Sequence, residues 1–286
     1  MLFRSLSRRS GISTSVRIWS EIYYASNRER LGFRTNETLQ LIESAAEAAQ
    51  GHNVLPPHEV GDVLYTLGYS LKLRERYAES EATYSKALAI YLQDGQAKCD
   101  QSAVYGELAQ DKDKGGDPQG SLPIYRQAYD GLKACEGPDS RAALEQQDRM
   151  AGALIELGRA TEALPILESI MPGWRKVAGA SADLAEPLYF LALAQIDTGR
   201  FEQAEASAKE LFNVQDGKVA STDRRIGEAQ LLWTRALVGQ HRDAEALPHA
   251  QMAAKLLVKG ISANSQRKDA QAQKLLQDLQ ARLHSA

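Results

Sequence analysis

The sequence predicts an all-α array of antiparallel helix pairs, and three observations lead there. Helix-forming residues such as Ala, Leu, Glu, Gln, Lys and Arg dominate the composition, while strand-favouring Val, Ile and Thr are sparse. Five segments started at Gly61, Ser102, Leu144, Ala185 and Gly227 align without gaps, at successive offsets of 41, 42, 41 and 42 residues. Within each segment the same places stay small. The eighth holds Gly68, Ala109, Ala151, Ala192 and Thr234, and the twentieth holds Ser80, Ser121, Ala163, Ala204 and Ala246. The seventh is large and apolar: Leu67, Leu108, Met150, Leu191 and Trp233. Two antiparallel helices approach closely only where the side chains at their crossing are small, and a bulky neighbour must fill the space beside it.

Taken in order, residues 1–18 read as a disordered basic tail. Residues 1–34 hold seven arginines against Glu21 and Glu29. The Arg- and Ser-rich, acid-free first twenty residues also fit a mitochondrial presequence, but lack the continuous apolar core of a secretory signal. Residues 19–60 read as a degenerate first repeat from Trp19, whose second helix runs from Asn36 to Gln50 with Thr38, Ile42 and Ala45 in register. The five repeats occupy 61–101, 102–143, 144–184, 185–226 and 227–260. Their two helices are separated by turns such as Arg74-Glu75-Arg76-Tyr77, Gly115-Gly116-Asp117-Pro118, Leu157-Gly158-Arg159-Ala160 and Thr198-Gly199-Arg200-Phe201. Where glycine is present, it supplies the positive φ that ends a helix. Breakers such as Gly137-Pro138-Asp139 and Gly179-Ala180-Ser181 separate the units. Residues 261–286 read as a capping helix, with Leu275, Leu276, Leu279 and Leu283 at helical spacing, which covers the last repeat and gives the array a soluble end.

Several function classes drop out. A net charge of −3 does not suit a general nucleic-acid binder, which needs a basic face to release phosphate counterions. No run approaches the 18 consecutive apolar residues of a membrane span. Cys99 and Cys135 are too few for a disulfide framework or a zinc site and read as free thiols in a reducing compartment, with a single disulfide as the alternative after export. His241-Arg242-Asp243 spells the kinase catalytic-loop triplet, but Pro248 stands where the metal-binding Asn belongs and no glycine-rich loop accompanies it. Gly217-Lys218 lacks the flanking residues of a phosphate loop, and His58-Glu59 lacks a second histidine. No catalytic, cofactor-binding or metal-ligating set is expected, and the chain reads as non-enzymatic.

Leu67-Gly68, Tyr77, Glu79, Tyr84, Ala87 and Leu88 resemble the tetratricopeptide pattern, and the period near 42 resembles the longer repeats of kinesin light chains. The likeness covers residues 61 to about 260, with departures at Lys112 and Gln195. Ala25-Ser26-Asn27-Arg28 followed by Glu37-Thr38-Leu39 is similar to the repeat-bearing C-terminal part of bacterial serine/threonine kinases. The family resemblance implies a right-handed α-solenoid whose first helices line a concave face. It assigns to that face Asp62, Tyr65, Tyr69, Lys72, Glu145, Asp148, Glu186, Tyr189, Glu228 and Arg235. A carboxylate-gripping basic clamp is not expected, because Tyr65 and Tyr69 hold its positions. Aromatic rings beside acids instead suit an extended protein or peptide segment with apolar anchors and a few basic residues. The expected role is a cytoplasmic interaction scaffold (mitochondrial if the N-terminus is a presequence). Its rivals are a sensor module related to those kinase repeats, without kinase activity, and a structural module acting by self-association.

Overall fold

The computed structural model describes residues 13–51, 54–95, 98–179, 181–260 and 263–285. Of the disordered tail expected over residues 1–18, the first twelve lie outside the described residues, and the rest is corrected: Thr14 opens a helix capped by Ser13, and Ile18 is buried in its packing. Among the described residues the regular structure is helical: α1 (Thr14–Arg30), α2 (Asn36–Ala49), α3 (Pro57–Lys72), α4 (Tyr77–Asp94), α5 (Lys98–Lys114), α6 (Pro118–Glu136), α7 (Arg141–Glu156), α8 (Ala160–Ala178), α9 (Ala185–Asp197), α10 (Phe201–Gln215), α11 (Arg224–Gly239), α12 (Asp243–Leu256) and α13 (Ala263–Ser285). A 3₁₀ turn, Ala182–Leu184, precedes α9.

The helix starts follow from local chemistry. Ser13, Thr35 and Asp117 each accept a hydrogen bond from the free N–H three residues on, and Pro57 and Pro118 open their helices where no N–H is needed. The turn between the paired helices repeats one geometry. Gly116, Gly158 and Gly199 have φ of 98°, 72° and 77°, and Glu75 and His241 occupy the corresponding places at 59°. An L-residue is strained there and glycine is not. Gly158→Ala should therefore cost about 1 kcal/mol in urea unfolding, whereas His241→Gly should cost nothing and gain a few tenths. Equal losses from both would deny that the turns correspond. The next residue is the N-cap of the second helix, and in three repeats it is an arginine that grips the glutamate three residues on. Arg76–Glu79, Arg159–Glu162 and Arg242–Glu245 close at 2.5–2.8 Å.

The chain divides into two compact units, residues 1–146 and 147–286, with the division inside α7. In the first unit, Ile18, Ile42, Val63, Tyr84, Ala87 and Val104 form a continuous core across α1 to α5. In the second, Leu167, Leu188, Leu211 and Leu232 are fully buried. There α13 lays Ala272 and Leu279 against Leu231, Ala253 and Leu257, and Leu237, Ala246 and Ala250. The small residues Gly68, Ser80, Ala109, Ser121, Ala151, Ala163, Ala192, Ala204 and Ala246 are all buried. A Cβ on Gly68 would stand 2.8 Å from the Tyr84 ring, and Ser80 Oγ donates to the Gly68 carbonyl at 2.8 Å. The two small positions thus touch within one pair.

The free thiols expected at Cys99 and Cys135 are corrected by the structure, which joins them in a disulfide with Cα atoms 5.8 Å apart. The reason is topological. Cys99 starts α5 and Cys135 ends α6, and antiparallel pairing brings those two ends together. The reducing compartment that free thiols implied loses that support. Cys135→Ser, which reopens a loop of sequence separation 36, should cost about 2–4 kcal/mol of stability. Urea titrations with and without dithiothreitol measure it, and a wild-type midpoint indifferent to reductant would contradict the bond.

Candidate functional site

In the first unit, α3 supplies the face that carries most of the expected groove residues. Tyr65, Tyr69 and Lys72 recur at helical spacing, and the ammonium of Lys72 reaches across to α5, where it pairs with Glu107 and donates to Gln110 Oε1 at 2.6 Å. The same ammonium stands 5.2 Å from the Tyr69 ring centre and 5.9 Å from that of Tyr84. Tyr65 packs edge-on against Tyr84 at 5.4 Å, which makes it half a core residue. Tyr69 keeps 43 % of its surface in water. Asp62 accepts a 2.6 Å hydrogen bond from the buried Tyr91 hydroxyl, and burial together with that carboxylate drives the phenol's pKa far upward. Asp62 thus anchors α4 to α3. Glu145 is half-buried.

In the second unit the expected residues separate. Asp148 is 2 % exposed and sits inside the packing rather than on a groove. Glu186 is exposed. Tyr189 and Glu228 come together under a group of the chain itself: Lys268 of α13 lies 4.6 Å over the Tyr189 ring and 3.0 Å from Glu228. Arg235 is held by Asp197 at 2.9 Å.

Sequence reading missed two clusters. The first is a buried polar knot in which Glu29 Oε1 meets the Arg74 guanidinium at 2.7 Å, with the Ser70 and Thr38 hydroxyls at 2.9 and 3.1 Å. Its members come from three helices and a turn, with no period to betray them. The second is aromatic: Trp233 stacks on His249 at 4.0 Å, with Phe212 at 6.3 Å and the Lys209 ammonium at 5.3 Å. Burial holds the His249 imidazole below its usual pKa. Among the described residues, no group of three or more His, Cys, Asp or Glu is placed to hold a metal ion, and no helix is long and apolar enough to cross a membrane.

At the level of sequence the chain matches neither a family model nor a curated protein. At the level of structure it is similar to the apo form of the quorum sensor NprR from B. thuringiensis, at 14% identity and a TM-score of 0.69, covering 96% of this chain and 72% of that one. It is also similar to the Rap conjugation gene regulator of plasmid pLS20, solved in complex with the Phr* peptide, at 12% identity and a TM-score of 0.63, covering 93% and 75%. Nearly identical TPR-like repeats of kinesin light chain type from Podosopora anserina match at 17% identity and a TM-score of 0.59, covering 70% and 96%. Paired helices and neighbours of this kind agree: the chain folds as a helical-repeat protein of the tetratricopeptide type.

Proposed function

We propose that the chain is a non-catalytic interaction scaffold, and that it holds an extended segment of another polypeptide against the face of α3 and α5 in the first unit. The observation that carries this reading is Tyr69. A tyrosine with 43 % of its surface exposed, beside a Lys72–Glu107–Gln110 ladder, offers a flat apolar ring next to donors and acceptors for a peptide backbone. The segment has an apolar side chain to lie on the ring and a basic residue to draw Glu107 away from Lys72. In the second unit, Tyr189 and Glu228 already hold a cation, Lys268. That contact has the chemistry proposed for a partner, made within the chain. The Rap regulator solved with its Phr* peptide supports a peptide as the class of occupant.

Selection of a random peptide library on the immobilised chain tests the reading. Enriched sequences should pair an aromatic or aliphatic residue with lysine or arginine, and Tyr69→Ala should weaken them by about 1–3 kcal/mol, roughly five- to 150-fold. No enrichment, or enriched peptides that bind Tyr69→Ala equally well, would dispose of it.

A further inference from the structure

The tenth position of each repeat is buried, and it holds Ser70, Asp111, Ala153, Ala194 and Ala236, each no more than 1% exposed. Packing at this place asks for a small uncharged residue, and four repeats supply one. The second repeat supplies a carboxylate. Both Asp111 oxygens are shut from water and, among the described residues, neither has a hydrogen bond of good geometry. The neighbouring Ser80 hydroxyl gives its proton to the Gly68 carbonyl, and Lys72 is taken by Glu107 and Gln110. An isolated buried carboxylate is costly.

Next to Asp111 the surface opens into a cavity of about 450 Å³, walled by the Glu75–Glu79 turn, Glu81, Lys112, Gly115 and Asp117. Arg76 is bound by Glu79, and Lys112 by Asp117. Glu75, Glu81 and Asp111 form no ion pair among the described residues, so the cavity carries uncompensated negative charge beside the Tyr77 ring.

The preceding repeat shows what fits such a space. There the fourteenth position is Arg74, whose guanidinium reaches the turn of the unit before it. It binds the Thr35 carbonyl at 2.8 Å, Thr38 Oγ1 at 2.9 Å and the buried Glu29 carboxylate at 2.7 Å. In the second repeat that position is Gly115, which has no side chain to send to the Arg76–Glu79 turn. The cavity is the place an arginine occupies one repeat earlier, and Asp111, where that repeat has Ser70, offers a carboxylate in the part that Glu29 plays for Arg74.

We propose that this cavity is a binding site for the side-chain guanidinium of an arginine on a partner protein, with Asp111 as its buried counter-charge and Tyr77, Glu75 and Glu81 as its rim. The planar guanidinium offers paired donors to carboxylates and stacks on aromatic rings, which suits it to this lining better than a hydrated ammonium. The site is walled by the turns of the repeats, Tyr69 is not in its lining, and the proposal does not depend on the peptide reading. Burial supports it by holding the empty site's Asp111 carboxyl up at about 6, with Ser80 and Lys72 pulling down and Glu81 pushing up. The folded chain retains a proton there that the unfolded chain releases near pH 4. The contribution to stability is therefore full below that pH and is lost as pH rises through 6. An arriving cation reverses this.

The test is a titration of the isotope-labelled chain, followed at the backbone amides of Tyr77, Ala78 and Gly115 by NMR, with acetyl-Gly-Arg-Gly-amide, its neutral citrulline counterpart, and free agmatine. The arginine tripeptide should give saturable shifts at pH 7.5, the citrulline tripeptide none, and Tyr69→Ala should leave the titration unchanged. Asp111→Asn should bind the arginine tripeptide at least tenfold more weakly while melting no lower than wild type at pH 7.5. Should that variant fail to fold, Glu81→Gln, on an exposed rim residue, should still weaken binding severalfold. Absence of saturable shifts, equal binding by the citrulline peptide, or undiminished binding by the folded variant used overturns the proposal. Agmatine binding tenfold tighter than the tripeptide overturns the assignment to a protein side chain.

Discussion

Arg74→Met is expected to lower the unfolding free energy by about 3–5 kcal/mol, among the largest effects of any single side chain in the first unit. The Glu29 carboxylate has only 4% of its side chain exposed, and Arg74 only 13%. Their 2.7 Å contact is reinforced by the Ser70 and Thr38 hydroxyls, and the guanidinium also binds the Ser70 and Thr35 carbonyls at 2.9 and 2.8 Å. Removing the arginine leaves a carboxylate in a dry site, where hydroxyls alone do not offset its desolvation. The double variant Glu29→Leu/Arg74→Met removes both charges and should recover most of the loss, because the pair is costly to break rather than strongly stabilising. Urea unfolding of wild type, both single variants and the double variant measures the cycle. A loss below about 1 kcal/mol in Arg74→Met would mean that the pair is solvated and does not join α1 and α2 to the first repeat.

Ala204→Arg should be at least as damaging in the second unit. Ala204 is 0% exposed at the twentieth position of its repeat, where α10 crosses its neighbours. Overpacking alone costs about 1–3 kcal/mol, and a buried guanidinium without a partner adds to it. A total of about 3 kcal/mol or more lowers the melting temperature by roughly 6–12 °C for a chain of this size. Because each pair is held by its neighbours, the lesion spreads to α9 and α11. Glu202→Arg, two residues away on the exposed face, is the control and should melt with the wild type. If Ala204→Arg did the same, the assigned register would be wrong.

What was legible in the sequence was what recurs. Small residues at helix crossings leave a period because each repeat meets the same packing constraint, and positive φ at Gly116, Gly158 and Gly199 follows from the turn. What was not legible was the singular. Glu29 and Arg74 act once, between a degenerate unit and a regular one, so no internal comparison marks them. The disulfide needed only antiparallel pairing of α5 and α6, and a reading by cysteine count and spacing kept it as the alternative to free thiols. The groove residues were assigned by position along the helix. That reasoning cannot see that Asp148 is buried, that Asp62 serves Tyr91, or that Lys268 returns from the last helix to cover Tyr189 and Glu228. Asp111 did carry a signal, a carboxylate in a column of Ser and Ala, which comparison within the tenth position would have exposed.

Hydrogen exchange resolved along the chain tests the central claim, that helix pairs in a 41–42-residue register make this fold. Protected blocks should coincide with α3 to α12, broken by fast-exchanging turns at residues 73–76, 115–117, 157–159, 198–200 and 240–242. Protection running unbroken through those turns, or protected blocks whose spacing ignores that period, would contradict it.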